Sequence, residues 1–211
     1  MQSIIAQLRE QIGPVRSSRG CFATGTMIDE LLPQRSFRRG TLVEVFGPGT
    51  ALAVVLARAA LRPAGSLAVI DPARRFYPPA AASMGIDLSR LMVVQPSEPD
   101  WITIQALSCP AIDAVLCWPE RLNAKMFRRW QLAAERGGSF GLLVRTSVAR
   151  GSPSWADMQL TVSPVAIDRW RLEVGGRFLE FSIDERGCIY DCLRMVSELA
   201  HSTPAARAAG A

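Results

Sequence analysis

Short runs of consecutive apolar residues recur through the middle of the chain, and they constrain its fold more than any other feature. The runs are TLVEVF (41–46), SLAVID (66–71), RLMVVQP (90–96), AIDAVLCWP (111–119) and FGLLVRT (140–146). Segments that suit helices lie between them: ALAVVLARAALR, PPAAASMG, residues 101–108, and NAKMFRRWQLAAERGG with a glycine C-cap. The strand-like runs are apolar at successive positions rather than at every second one. A strand of that kind is buried on both faces, as in a parallel sheet with helices on either side. After about residue 157 the texture changes to MQLTVSP, RWRLEVGGR and FLEFSID in close succession, with Gly175-Gly176 marking a hairpin. The expected fold class is α/β: a mainly parallel central sheet flanked by helices, with an antiparallel extension at its C-terminal edge.

The two ends read differently from this core, which is expected to span 15–185. Residues 1–14 are an expected amphipathic helix with Ile4, Ile5, Leu8 and Ile12 on one side, ended by Gly13 and Pro14. Residues 186–201 are a second one, with Ile189, Leu193, Val196 and Ala200 inward, and the small-residue tail 202–211 is expected to be disordered. Each helix either covers the core of its own domain or lies in a partner's groove. On the second reading Ile4, Ile5, Leu8, Ile12, Ile189, Leu193 and Val196 are the partner-binding candidates.

Composition removes several classes of chemistry. Lys125 is the only lysine and His201 the only histidine, which leaves little room for Ser/His/Asp or Cys/His catalysis or for a histidine-rich metal site. The five cysteines form no CxxC pair, so reduced thiols and no metal are expected. Cys188 and Cys192, four apart in the expected last helix, would share a face without bridging. No apolar run is long enough to span a bilayer, and Arg9 and Glu10 interrupt any signal peptide, so a cytoplasmic location and no membrane partner are expected. A net charge of +5 carried almost wholly by arginine fits weak, salt-sensitive contact with DNA. The candidates are Arg74, Arg75, Arg145 and Arg150. Trp118, Trp130, Trp155 and Trp170 read as packing residues, and Trp101, after Pro99-Asp100, as an exposed anchor.

The strand–turn–helix at Gly47-Pro48-Gly49-Thr50 is the place where a phosphate would sit. Glycine loops before a helix N-terminus cradle phosphate through backbone N–H groups and the helix dipole. The triphosphatase form, G-x-x-x-x-G-K-[ST], adds a lysine for the β/γ phosphates and a hydroxyl for Mg²⁺. The loop here has no lysine and no Gly-Lys-Ser/Thr triplet. Lys125 lies far downstream in another helix. The loop is therefore read as a degenerate phosphate loop, with no catalytic residues, no bound nucleotide and no cofactor expected.

The runs ATGTMIDELL (Ala23–Leu32), FRRGTLVEVFGPG (to Gly49) and Ile70 through Pro96, above all AASMGIDLSRLMVVQP, resemble the ATPase core of the RecA-like family. Within that family they look most like the ImuA accessory proteins of bacterial mutagenic translesion synthesis. The resemblance covers about residues 22–185. It implies that a water-activating glutamate should follow the second strand, where Pro72-Ala73-Arg74-Arg75 stands. It also implies a Walker B aspartate at Trp118 and a switch glutamine at Arg145-Thr146. Residues 147–155 stand where recombinases carry a longer DNA-binding loop, so DNA binding does not carry over. The function implied is that of a non-catalytic accessory protein in SOS-induced translesion synthesis. Its implied partners are an ImuB-like homologue of the Y-family polymerases, RecA, and an error-prone replicative-type polymerase. Competing expectations are a divergent ATPase that uses arginines in place of the lysine, and a stand-alone DNA-binding module. A cell-division inhibitor is a further alternative, without a sequence feature in its favour.

Overall fold

In the computed structural model, which describes residues 20–151 and 154–192, the first long strand is Leu42–Phe46 (β3), and all five of its side chains are buried. Before it come two short strands, Cys21–Phe22 (β1) and Phe37–Arg38 (β2), which among the described residues pair only with each other. From β3 the chain alternates. Thr50–Ala60 (α1) leads to Ser66–Ile70 (β4), Pro78–Ser83 (α2) to Leu91–Val94 (β5), and Pro99–Ser108 (α3) to Ile112–Cys117 (β6). Ala124–Gly137 (α4) then leads to Phe140–Arg145 (β7). Met158–Ala166 (β8), Arg169–Val174 (β9), Arg177–Ile183 (β10) and Ile189–Asp191 (β11) follow without intervening α-helices.

These strands form one sheet of nine, in the order β11-β10-β9-β8-β3-β7-β6-β4-β5. From β8 to β5 every neighbouring pair is parallel. From β8 to β11 every pair is antiparallel. This is the expected α/β class, with its antiparallel extension on the C-terminal edge.

Alternation of side chains divides the interior into two layers. On one face Val43, Val45, Leu67, Val69, Leu116 and Leu142 pack against α1. Leu160, Val162, Leu172, Val174 and Phe181 of the extension join that same layer. On the other face Leu42, Ala68, Ile70, Val115 and Leu143 pack against Leu107 of α3 and against Phe127, Trp130 and Ala134 of α4. The sequence of α4 explains its ends. Asn123 accepts a hydrogen bond from the Met126 N–H at its start, and Gly138 closes it in the left-handed conformation. Among the described residues no helix is long and apolar enough to cross a membrane.

One expected element is wrong in its first part. Residues 186–191 are not helical. The Asp184 carboxylate accepts hydrogen bonds from the N–H groups of Arg186 and Cys188, at 2.9 and 2.8 Å. Gly187 takes φ +70°, a conformation few other residues adopt cheaply. Together they fold a tight turn that returns the chain as β11, antiparallel to β10. Ile189 therefore sits on a strand, half-buried against the core, and is not a partner-facing helical residue. Cys188 lies in that turn and not on a helix. Leu193 and Val196, like Ile4, Ile5, Leu8 and Ile12, lie outside the described residues. Trp155 is 46% exposed, with one side packed on Phe127, ring centroids 6.2 Å apart.

Candidate functional site

In open α/β sheets ligands bind beyond the carboxyl ends of the parallel strands. Four connections meet there: Gly47–Gly49 after β3, Asp71 after β4, Trp118 after β6, and the exit of β7 at Arg145. They surround a cavity of about 450 Å³ lined by Gly47, Thr50, Arg75, Trp118, Glu120 and Arg145, among others.

The N–H groups of Gly47 and Gly49 in the glycine loop are engaged within the chain. The Gly47 N–H donates to the Arg145 carbonyl at 2.9 Å, and the Gly49 N–H donates to the Gly47 carbonyl at 2.8 Å. Gly47 has φ +89°, and a Cβ there would lie 2.2 Å from the Val162 carbonyl oxygen. The sequence thus requires glycine at this point in order to bring the turn down onto β8. A phosphate-binding nest needs successive N–H groups pointing outward. Two of those in this turn point inward.

The residues around the loop are tied down in the same way. The buried Asp71 carboxylate accepts a hydrogen bond from the Phe76 N–H at 2.7 Å, and the Asp71 carbonyl accepts one from Arg74, which has φ 55°. Trp118 is half-buried, with its ring centroid 6.2 Å from that of Phe76. Arg145, 8% exposed, donates through Nη1 to Glu44 Oε1 at 2.6 Å. The other oxygen of Glu44 accepts hydrogen bonds from Ser154 Oγ and, at 3.4 Å, from Gln159 Nε2. The Arg145 guanidinium also lies 5.8 Å from the Phe46 ring centroid.

Arg145 is therefore not a surface residue available to DNA. It is a buried counter-ion to a carboxylate in the middle of β3. Arg150 is exposed but paired with Glu173 at 2.9 Å. Arg75 lines the cavity, 3.8 Å from Glu120, and Arg74 is exposed and outside the lining. The structure brings Arg75 and Arg145 to one cavity and does not assemble the four arginines into one patch. Glu44 is the residue that sequence reading missed. Its signal is visible in hindsight: a carboxylate within the apolar run LVEVF needs a buried partner. Trp101 is 56% exposed, as expected of an anchor, although it belongs to the first turn of α3 and not to a loop.

Comparison with known proteins places these elements in a family. The chain is 37% identical over 82 residues to the protein RecA of Rhodopirellula baltica. The match takes in 36% of this chain and spans only 22% of that protein. The mainly parallel sheet with its α/β layering is consistent with a RecA-like core. The model of the MT3502 N-terminal domain matches residues 30–149, more than half of the chain and all four connections around the cavity. By that match the chain belongs to the MT3502 N-terminal domain family.

Proposed function

We propose that this chain is a RecA-like accessory protein that acts by docking onto other proteins and not by turning over ATP. One observation carries the reading: the Gly47 and Gly49 N–H groups of the glycine loop are bonded inward, to Arg145 and within the loop itself. Three further features support it. A tryptophan stands at the end of β6, one oxygen of the buried Asp71 carboxylate accepts from Phe76, and the only lysine, on α4, does not line the cavity. Loss of a single electrostatic donor from a catalytic centre costs about 3–4 kcal/mol. A chain without the lysine, the metal ligand and the outward nest keeps the shape of a recombinase without its chemistry. The resemblance to ImuA then gives that shape a use in SOS-induced translesion synthesis. The partners are an ImuB-like polymerase homologue, RecA and an error-prone replicative-type polymerase.

A second reading, ATP binding without the lysine, has its own observation. Arg75, Arg145 and Thr50 face one cavity at the start of α1. Thermal unfolding in ATP-Mg separates the two. Nucleotide at about 100 times Kd adds about 2.7 kcal/mol, which raises the Tm of a chain this size by roughly 5–10 °C. The docking reading expects an unchanged Tm, together with co-elution with ImuB-like protein or RecA at micromolar concentration. A clear rise in Tm, or no association with either partner, counts against it.

A further inference from the structure

Helix α4 turns Phe127, Trp130, Ala133 and Ala134 to the core. Its other side is exposed and carries Lys125, Arg128, Arg129 and Arg136 against one acid, Glu135. Elsewhere the chain supplies its arginines with counter-ions: Arg62 has Asp113, Arg150 has Glu173, and Arg171 has Glu180. Among the described residues none of the four cations on α4 forms an ion pair. Only Arg128 makes a side-chain hydrogen bond, to Gln131 Oε1 at 3.4 Å. Lys125 stands three and four positions before Arg128 and Arg129, and like charges at that spacing destabilise a helix by themselves. The same spacing rings Leu132, 36% exposed, with Arg128, Arg129 and Arg136. Trp155 flanks the helix: its carbonyl accepts from Gln131 Nε2 at 3.0 Å, and its ring packs on Phe127.

This face asks for negative charge around an apolar centre. A membrane needs an apolar helix face, and that of α4 is buried in the core. The phosphates of a nucleic-acid strand, drawn to the ring of cations, would lie over Leu132. The chain's own ends do not complement the charge: residues 1–19 hold three arginines and one glutamate, and residues 193–211 hold two arginines and one glutamate. We propose that this face of α4 docks an acidic amphipathic segment of a partner protein. Its carboxylates pair with Arg128, Arg129 and Arg136, whose guanidinium forks take carboxylates bidentately. Its apolar side chains cover Leu132 and the open side of Trp155. None of these residues lines the cavity above the glycine loop. The inference rests on the docking reading and gives it a surface and a chemistry of partner.

The test is fluorescence anisotropy with the full chain and a labelled peptide of repeated Glu-Glu-Leu-Glu units. Saturable binding at submillimolar concentration, weakened by added salt, is expected. Peptides with Gln for Glu, or with Ser for Leu, each bind at least about fivefold more weakly. Arg128→Glu combined with Arg129→Glu, both at exposed positions, weakens the first peptide at least about tenfold and leaves the thermal melt in place. The proposal falls if the double variant binds the peptide as the parent does, or if the serine peptide binds as the leucine peptide does. It falls also if oligo(dT) displaces the peptide and binds more tightly, because the face then belongs to nucleic acid. Gel filtration with an ImuB-like protein and RecA separates this failure from that of the docking reading. Association that persists in the double variant, with no peptide bound by the parent, overturns this face and leaves docking standing. Peptide binding as described, without association with either protein, keeps the face and removes those two partners.

Discussion

Glu44 and Arg145 are 101 residues apart in sequence and share one buried ion pair. Glu44 is fully buried, and its other oxygen is bonded to Ser154 and Gln159, so the charge is satisfied only while all these groups are in place. Removing one member of a buried pair leaves an uncompensated charge, which costs about 3–5 kcal/mol. Arg145→Ala is therefore expected to lose about that much stability in urea unfolding. Replacing both residues with methionine recovers much of the loss, because burying two apolar chains removes the charge and keeps the volume. If the single variant were as stable as the parent, the pair would not hold β3 to β7. The sequence displays the carboxylate inside LVEVF but not its partner. Arg145 had looked like a free surface cation because nothing local marks its burial. The degenerate loop is the opposite case. Its missing lysine is plain in the sequence, whereas the inward turn of its N–H groups depends on Arg145 and Val162, which only the fold brings near.

Strands β3 to β7 were legible because each is buried on both faces and so is apolar at consecutive positions. The β9–β10 hairpin was legible because Gly175-Gly176 separates two alternating runs. The strand β11 was not. Ile189, Leu193 and Val196 fall at helical spacing, and three residues show no alternation to set against that. The turn signals, Asp184 and Gly187, were present but short-range. That turn should respond to pH. Hydrogen bonds from the Cys188 N–H first, then from the Tyr190 hydroxyl and the Arg186 N–H, hold the Asp184 carboxyl below its ordinary value of 3.8. A depressed carboxyl stabilises the fold at pH above its unfolded value, and that contribution is lost as pH falls through the folded value. Amide protection in β11, followed by NMR between about pH 5 and pH 2, is expected to fall ahead of protection in β3 to β7. Asp184→Asn should show low protection in β11 at both ends of that range. A β11 that keeps its protection at the acid end, alongside the central strands, would show that the turn does not depend on the charge.

The family match ends at residue 149, before β8, β9 and β10 begin. The packing does not end there. β8 lies in parallel register with β3, and the Val162 carbonyl closes over Gly47. Leu160, Val162, Leu172, Val174 and Phe181 are each at most 6% exposed and lie in the same layer as α1. Each such side chain contributes about 1.5–3 kcal/mol when buried, so five of them amount to roughly 10 kcal/mol, the order of a whole domain's stability. The extension thus shares one buried layer with α1 and the parallel strands and is not an appendage to a self-sufficient parallel core. A chain cut after residue 151 is expected to keep helical circular dichroism but to lose its cooperative melt and bind hydrophobic dye. A sharp transition in that fragment, near the Tm of the full chain, would show instead that the matched segment folds alone. The loop at Gly47 gives the expectation its functional edge. With β8 gone, the Val162 carbonyl no longer closes over Gly47, and only the bonds to Arg145 and within the loop hold the turn, so the closed phosphate loop depends on β7 and β8 as well as on the four residues that compose it.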